Sequence, residues 1–350
     1  MARCVSFFEG FAVDDVALGD GVTIRVRVGG PVDGDVVVLL HGHPRTGATW
    51  WRVAGSLAAE GFRVVVPDLR GYGASVAPPD EEDHAQASKR ALARDVVGVV
   101  DRVVGGDAPF AVVGHDRGAL VAFRAAMDWP ARVSTLVVMD GLPVVEHLER
   151  ITAEFAQEWW HWWFFAQTAK PAEVVIGRDP AWWYRVAGPE VMGREAWTEL
   201  QDALRDPAVI HAMLEDYRAG VGIDRAHDEA DRAAGRTIAC PTLVLWSSRD
   251  DMYDLYGEPI PIWRPWISPG VPLLADSVDS GHHQAEEAPD EVVAKLTRFL
   301  RALARSARDV LPSKAWSSRS GRTSRARGAT SARSASSRRW PSSRTPMRSK

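Results

Sequence analysis

Seven residues, Val112-Val113-Gly114-His115-Asp116-Arg117-Gly118, carry the densest chemical information in the chain. An apolar run beginning at Phe110 leads into a Gly-x-Asp-x-Gly turn, and a helix-forming stretch from Ala119 to Met127 follows. That is the strand-turn-helix setting of a nucleophile elbow, with a carboxylate where serine commonly stands. The change of side chain decides the chemistry. A carboxylate attacking an acyl carbon gives a labile anhydride, whereas attack on an sp³ carbon gives a stable alkyl ester. Asp116 therefore predicts displacement at saturated carbon, with halide or epoxide oxygen leaving.

Further reactive residues follow other predicted strands. His41-Gly42-His43-Pro44 comes after an apolar run, where the backbone N–H of His43 can form half of an oxyanion hole. The N–H of Arg117, immediately after the elbow aspartate, would supply the other half. Asp279-Ser280-Gly281-His282 stands late in the chain, ahead of Glu286-Glu287-Ala288-Pro289 and a final helix. A histidine in that place suits a general base acting after the aspartate. His282 is the expected base, with His283 as its spare.

These residues need a frame that brings strand ends together. Short β-branched runs alternate with longer helical patterns, which predicts an α/β fold with a largely parallel sheet. Strands are expected at 22–28, 36–40, 63–66, 110–113, 133–139, 242–246 and 271–275, and Asp20-Gly21 marks a hairpin turn before the first. Helices are expected at 50–60, 84–104, 119–129 and 289–304. Between Pro143 and Arg236 the alternation stops and helix formers with seven tryptophans take over. The expected organisation is a core of residues 1–142 and 237–312, with a helical cap, 143–236, over the strand C-termini where ligands bind in such sheets.

From Ser313 onward the chain is Ser/Arg-rich, with eleven lysines and arginines and no acids. Such a tail cannot offset its ordering entropy and is expected to be disordered and dispensable for catalysis. The formal charge of −4 thus hides a body at −15, which disfavours nucleic acid as its partner. Cys4 and Cys240 lack metal-ligand spacing, and no metal or other cofactor is expected. No apolar run approaches the roughly 18 residues of a membrane span, and Met1–Glu9 shows no signal-peptide core. A cytoplasmic protein is expected, with a small molecule and water as partners, and at most a second copy of itself.

Residues 7 to about 305 resemble the haloacetate and fluoroacetate dehalogenases of the α/β-hydrolase superfamily, which are closely related to epoxide hydrolases. The resemblance rests on His41-Gly42-x-Pro44, Asp68-x-Arg70-Gly71-x-Gly73-x-Ser75, Gly114-His115-Asp116-Arg117-Gly118-Ala119 and Asp140-x-Leu142-Pro143. It continues through His161-Trp162, Phe165-Ala166-Gln167, Glu215-Asp216-Tyr217-Arg218-Ala219-Gly220 and Ser280-Gly281-His282. It implies an α/β-hydrolase fold, Asp116 as nucleophile and His282 as the base that activates water against the ester. It also implies Arg117 as the grip on a substrate carboxylate, with His161 and Trp162 donating to the departing halide. The family's acid would be Asp140, the preferred candidate. Asp250, after the next strand, is where many other α/β-hydrolases keep theirs.

Two departures stand out. Leu120 replaces a second arginine one helical turn after Arg117, and Gly222 stands where a halide-binding tyrosine aligns. Losing that cation weakens carboxylate capture by about 1.5–3 kcal/mol. The expectation is hydrolytic dehalogenation of a short 2-haloacid, with the departures favouring a larger or less anionic substrate. Epoxide hydrolysis is the near alternative, with Tyr184 or Tyr217 available as the acid. A hydrolase-fold protein acting on or binding an unrelated biosynthetic intermediate is the distant one.

Overall fold

A computed structural model describes residues 6–185 and 187–310. The basic tail expected to be disordered lies outside the described residues.

Valine-rich runs become strands because β-branched side chains pack well on a pleated surface and lose little freedom there. Eight strands result: β1 Ala12–Gly19, β2 Val22–Gly29, β3 Val36–Leu40, β4 Arg63–Pro67, β5 Phe110–His115, β6 Val133–Met139, β7 Thr242–Ser247 and β8 Leu273–Val278. They form one sheet in the order β1-β2-β4-β3-β5-β6-β7-β8. β1, β2 and β4 pair antiparallel, while β4, β3 and β5 to β8 are parallel. The expected hairpin turn sits between β1 and β2, where Asp20 and Gly21 both take positive φ.

The period-2 alternation divides the core between the two faces of the sheet. Val37 and Leu39 of β3 pack on one face with Val53 and Leu57 of the helix Trp51–Ala59 and Val292 and Leu296 of the helix Pro289–Val310. Val38 and Leu40 pack on the other face with Val96 and Val100 of Lys89–Val103 and Val121 and Ala122 of Arg117–Asp128. Burial on both faces explains the unbroken apolar runs of the central strands.

Two expectations needed correction. The strand expected at 271–275 runs instead from Leu273 to Val278, with Val271 still in the preceding turn. β1 was not anticipated. It carries the exposed Asp14 and Asp15 and buries only Val16, as suits an edge strand that must resist pairing with other chains.

Between β6 and β7 every regular element is helical, from Val144 to Ala233. This stretch and the sheet belong to one compact unit. Buried ion pairs tie the helices to the sheet layer: Lys89 meets Asp216 and Asp224, and Arg124 meets Asp228 and Asp231. No helix among the described residues is long and apolar enough to cross a membrane.

Candidate active site

The C-terminal ends of four parallel strands converge on Asp116. β3 leads to His43, β5 to Asp116 itself, β7 to Asp250 and β8 to His282. Asp116 turns the chain from β5 into the helix Arg117–Asp128 at φ 51° and ψ −119°, a conformation that L-residues rarely adopt. Strain of this kind costs about 1–3 kcal/mol and persists where the surroundings over-determine it. Here neighbouring glycines make the turn possible. A Cβ on Gly114 would overlap the Gly118 carbonyl, and one on Gly118 would overlap the His41 and Leu40 carbonyls. Gly42 is equally constrained, because a Cβ there would collide with the Asp116 carboxylate.

The Asp116 carboxylate is divided between two tasks. Its Oδ1 accepts a hydrogen bond from the backbone N–H of His43 at 2.7 Å. Its Oδ2 lies 3.8 Å from His282 Nε2. The expected second donor, the N–H of Arg117, makes no hydrogen bond to this carboxylate among the described residues.

His282 Nδ1 lies 2.7 Å from Asp250 Oδ2 and 3.9 Å from Asp140 Oδ2. Of the two candidate acids, Asp250 is thus within hydrogen-bond reach of the imidazole and the preferred Asp140 is the farther one. Asp140 instead accepts from the Ser247 amide at 2.9 Å and the Ser247 hydroxyl at 2.5 Å, almost fully buried. Burial pushes its carboxyl up to about 6. Burial also works against charge on His282. The hydrogen bond to Asp250 and the carboxylates of Asp116, Asp250 and Asp140 outweigh it and hold the imidazolium up to about 10.

The loop carrying His282 is pinned from several sides. His115 Nε2 donates to the His282 carbonyl at 2.6 Å, and Glu287 accepts from the amides of Gly281 (2.7 Å) and His283 (3.1 Å). Arg45 and Glu286, both buried, form a bidentate pair that links the His43 loop to this one. Sequence reasoning assigned no role to His115, Glu287 or Arg45. His115 and Glu287 do stand within the quoted motifs, and that adjacency was the available signal.

A cavity of about 530 Å³ opens over these groups. His43, His161, Trp162 and Tyr217 all line it together with Asp116, Asp250 and His282, and His283 and Tyr184 line it too. Another cavity, about 570 Å³, lies between the 71–80 loop and the helix Pro207–Ala219, but none of the expected catalytic residues lines it. Burial drives the His161 imidazole down to about 4 and that of His43 well below its ordinary value, so both are neutral near pH 7. Both ring nitrogens of His43 and the hydroxyl of Tyr184 are buried without partners.

Arg117, the expected grip on a substrate carboxylate, opens the helix that follows Asp116. It is fully buried and does not line the cavity. Its Nε and Nη2 donate to Asp216 at 3.0 and 2.6 Å, and Nη2 also reaches the Asp216 carbonyl at 2.9 Å. Tyr217 and Trp162 stack across the guanidinium at 4.2 and 5.1 Å. Leu120 is buried in the same helix, and Gly222 is exposed in a π-helical turn, Gly220–Asp224.

Known proteins resemble this chain over most of its length. Residues 35–184 match the model of the alpha/beta hydrolase fold. A fluoroacetate dehalogenase from Burkholderia sp is 38% identical over 300 residues, covering 84% of this chain and 95% of that protein. An epoxide hydrolase from Caballeronia sordidicola is 27% identical and covers 81% of this chain and 92% of its own. A Pseudomonas aeruginosa structure described as an epoxide hydrolase superposes with a TM-score of 0.76 at 37% identity, covering 86% of this chain and 99% of that one. The chain belongs to the α/β-hydrolase family, in the branch that includes fluoroacetate dehalogenases and epoxide hydrolases.

Proposed function

We propose that this hydrolase releases halide from saturated carbon through an ester on Asp116. The carrying observation is the divided carboxylate, with Oδ1 on the His43 N–H and Oδ2 facing His282. In a serine hydrolase the oxyanion hole receives the substrate's oxygen. With an aspartate nucleophile, the oxyanion of the second step develops on the aspartate's own Oδ1, so a resting bond from His43 to that atom is preorganised for it.

In the first step, Oδ2 attacks the carbon from behind, the C–halogen bond breaks, and halide leaves with the electron pair. Neutral His161 and the Trp162 indole line the cavity as donors for it. Esterification removes the Asp116 charge, one of the interactions that keep His282 protonated. His282 then loses its proton more readily and becomes the base that the second step requires. It takes a proton from water, hydroxide attacks the aspartyl carbonyl, and alcohol departs with the proton returned. Asp250 orients the imidazole and stabilises the imidazolium.

Epoxide opening is the second reading, favoured by Tyr217 and Tyr184 on the cavity wall. The same attack would then need a hydroxyl to protonate the departing oxygen. Halide release set against diol formation from styrene oxide separates the two. A single turnover in heavy-oxygen water tests both: the first product should carry unlabelled oxygen and Asp116 should acquire the label. Solvent oxygen in every first-turnover product would overturn the reading.

A further inference from the structure

Resting on the reading of the Trp162 indole as a donor to the departing halide, we infer that Asp251 is a positioning residue for the displacement step. It holds Trp159, and Trp159 in turn holds Trp162. The two adjacent acids after β7 face different partners. Asp250 meets His282, whereas Asp251 Oδ2 accepts a hydrogen bond from Trp159 Nε1 at 2.6 Å. That bond joins positions 92 residues apart: Asp251 precedes the helix Met252–Tyr256, and Trp159 ends the helix Ala153–Glu158. An aspartate at the start of a helix ordinarily turns its carboxylate onto the helix's own free N–H groups. Asp251 makes no such bond and reaches across to Trp159 instead.

Trp159 transmits this hold through its ring. It stacks on Trp162 with centroids 5.6 Å apart and planes 28° from parallel. Phe155, His147 and Tyr256 close around Trp159 at 5.4, 5.3 and 6.0 Å. Tyr217 meets Trp162 edge-on at 6.0 Å, and the Arg117 guanidinium lies over its ring at 5.1 Å. A planar ring in a close-packed cluster turns only where its neighbours yield. Fixing Trp159 at its N–H as well as at its faces therefore fixes the tilt of the ring stacked on it.

The tilt matters because the two indoles differ in what their N–H groups have left to give. That of Trp159 is taken by Asp251. That of Trp162 has no hydrogen-bond partner among the described residues, on a side chain that is buried and lines the same cavity as Asp116. In the displacement, the bond from Asp116 Oδ2 to carbon forms as the carbon–halogen bond breaks, and the halide leaves with the electron pair. A donor lowers that barrier only when it already points to where the charge develops. Chloride is the poorer leaving group and needs the donor more than bromide does. Asp251 should therefore tune how steeply the reaction depends on the halogen.

The test reads the displacement step alone. On a His282→Gln background, where the ester should accumulate, adduct formation on Asp116 is timed by intact mass for bromoacetate and for chloroacetate. Trp162→Phe gives the effect of losing the donor: the bromoacetate-to-chloroacetate rate ratio should widen by about 3- to 10-fold, the factor that one hydrogen bond commonly carries. Asp251→Ala and Trp159→Phe should each widen it in the same direction, by at least about twofold. Asp251→Asn keeps an oxygen that can accept from the indole and should return most of the starting ratio. A merely structural role for Asp251 would slow both compounds alike and leave the ratio unmoved. An unmoved ratio in both Asp251→Ala and Trp159→Phe, with a widened one in Trp162→Phe, overturns the inference and spares the reading of Trp162. A ratio unmoved by Trp162→Phe overturns the reading of Trp162 as donor, and the inference falls with it. Absence of any adduct with either compound removes the Asp116 chemistry as well.

Discussion

Exchanging the two candidate acids one at a time gives the sharpest test of the His282 geometry. The Asp250 contact is 2.7 Å, whereas Asp140 at 3.9 Å is beyond hydrogen-bond reach. A hydrogen bond involving a charged group is worth about 1.5–3 kcal/mol. At 1.36 kcal/mol per factor of ten, losing it costs about 10- to 150-fold. An asparagine at 250 can also turn its NH₂ toward Nδ1 and favour the wrong tautomer, which costs about 10⁴-fold in a serine-protease triad. Asp250→Asn should therefore slow ester hydrolysis by about 10²- to 10⁴-fold. Formation of the ester should persist, because attack by Asp116 passes no proton through His282.

Rapid-quench intact mass spectrometry reads both steps at once. In Asp250→Asn the alkylated enzyme should accumulate toward one equivalent. Asp140→Asn should stay within about tenfold of wild type, since the Asp250 bond remains. The pH dependence adds a second readout. The resting imidazolium is held up to about 10, partly by the Asp116 charge. In the ester that charge is gone, so hydrolysis should rise with pH through a midpoint below 10 and then level off, while alkylation stays flat across that window. Stalling by Asp140→Asn, with near-normal turnover in a folded Asp250→Asn, would refute this assignment.

Other consequences are equally concrete. Gly42→Ala puts a methyl group into the Asp116 carboxylate, and a displacement of about 1 Å should cost about 100-fold in the rate of adduct formation with little change in melting temperature. Glu286→Gln breaks the buried pair with Arg45 and should lower unfolding free energy by about 3–5 kcal/mol in urea titration. His211 bonds Asp80 at 2.7 Å and Glu173 at 2.8 Å, contacts that hold its imidazolium up to about 9. Its folded value exceeds the ordinary 6.5, so its stabilisation is complete below 6.5 and is lost as pH rises through 9. The melting temperature should fall between pH 6.5 and 9.5 in wild type and change less in His211→Gln.

Sequence reasoning worked best where one local signal had one structural solution. The Val36–Leu40 and Val133–Met139 strands were placed to the residue because unbroken β-branched runs suit strands buried on both faces. The Asp20-Gly21 turn was legible because positive φ narrows the residue choice to a few types. β1 was not, because Asp14 and Asp15 erase the apolar alternation and an edge strand needs little burial to hold its place. The start of β8 was misplaced because Val271 and Pro272 extend the apolar run ahead of Leu273, the first residue paired with β7.

At the site, chain order was enough to bring His43, Asp116, Asp250 and His282 to adjacent strand ends, since a parallel sheet puts every strand's C-terminus on one side. Between Asp140 and Asp250 it could lean only on the family resemblance, which favours Asp140. Both follow neighbouring strands, and the choice turns on whether Ser247 or His282 takes the nearer carboxylate. Arg117 shows the deeper limit. A guanidinium beside a nucleophile reads as a clamp for a substrate anion, yet its partner, Asp216, lies far along the chain and is buried with it. The guanidinium is thereby shared between Asp216, which it bonds, and the charge of the neighbouring Asp116. A single residue type thus does not fix its own contacts, because local sequence does not carry the long-range pairing that decides which partner its charge meets.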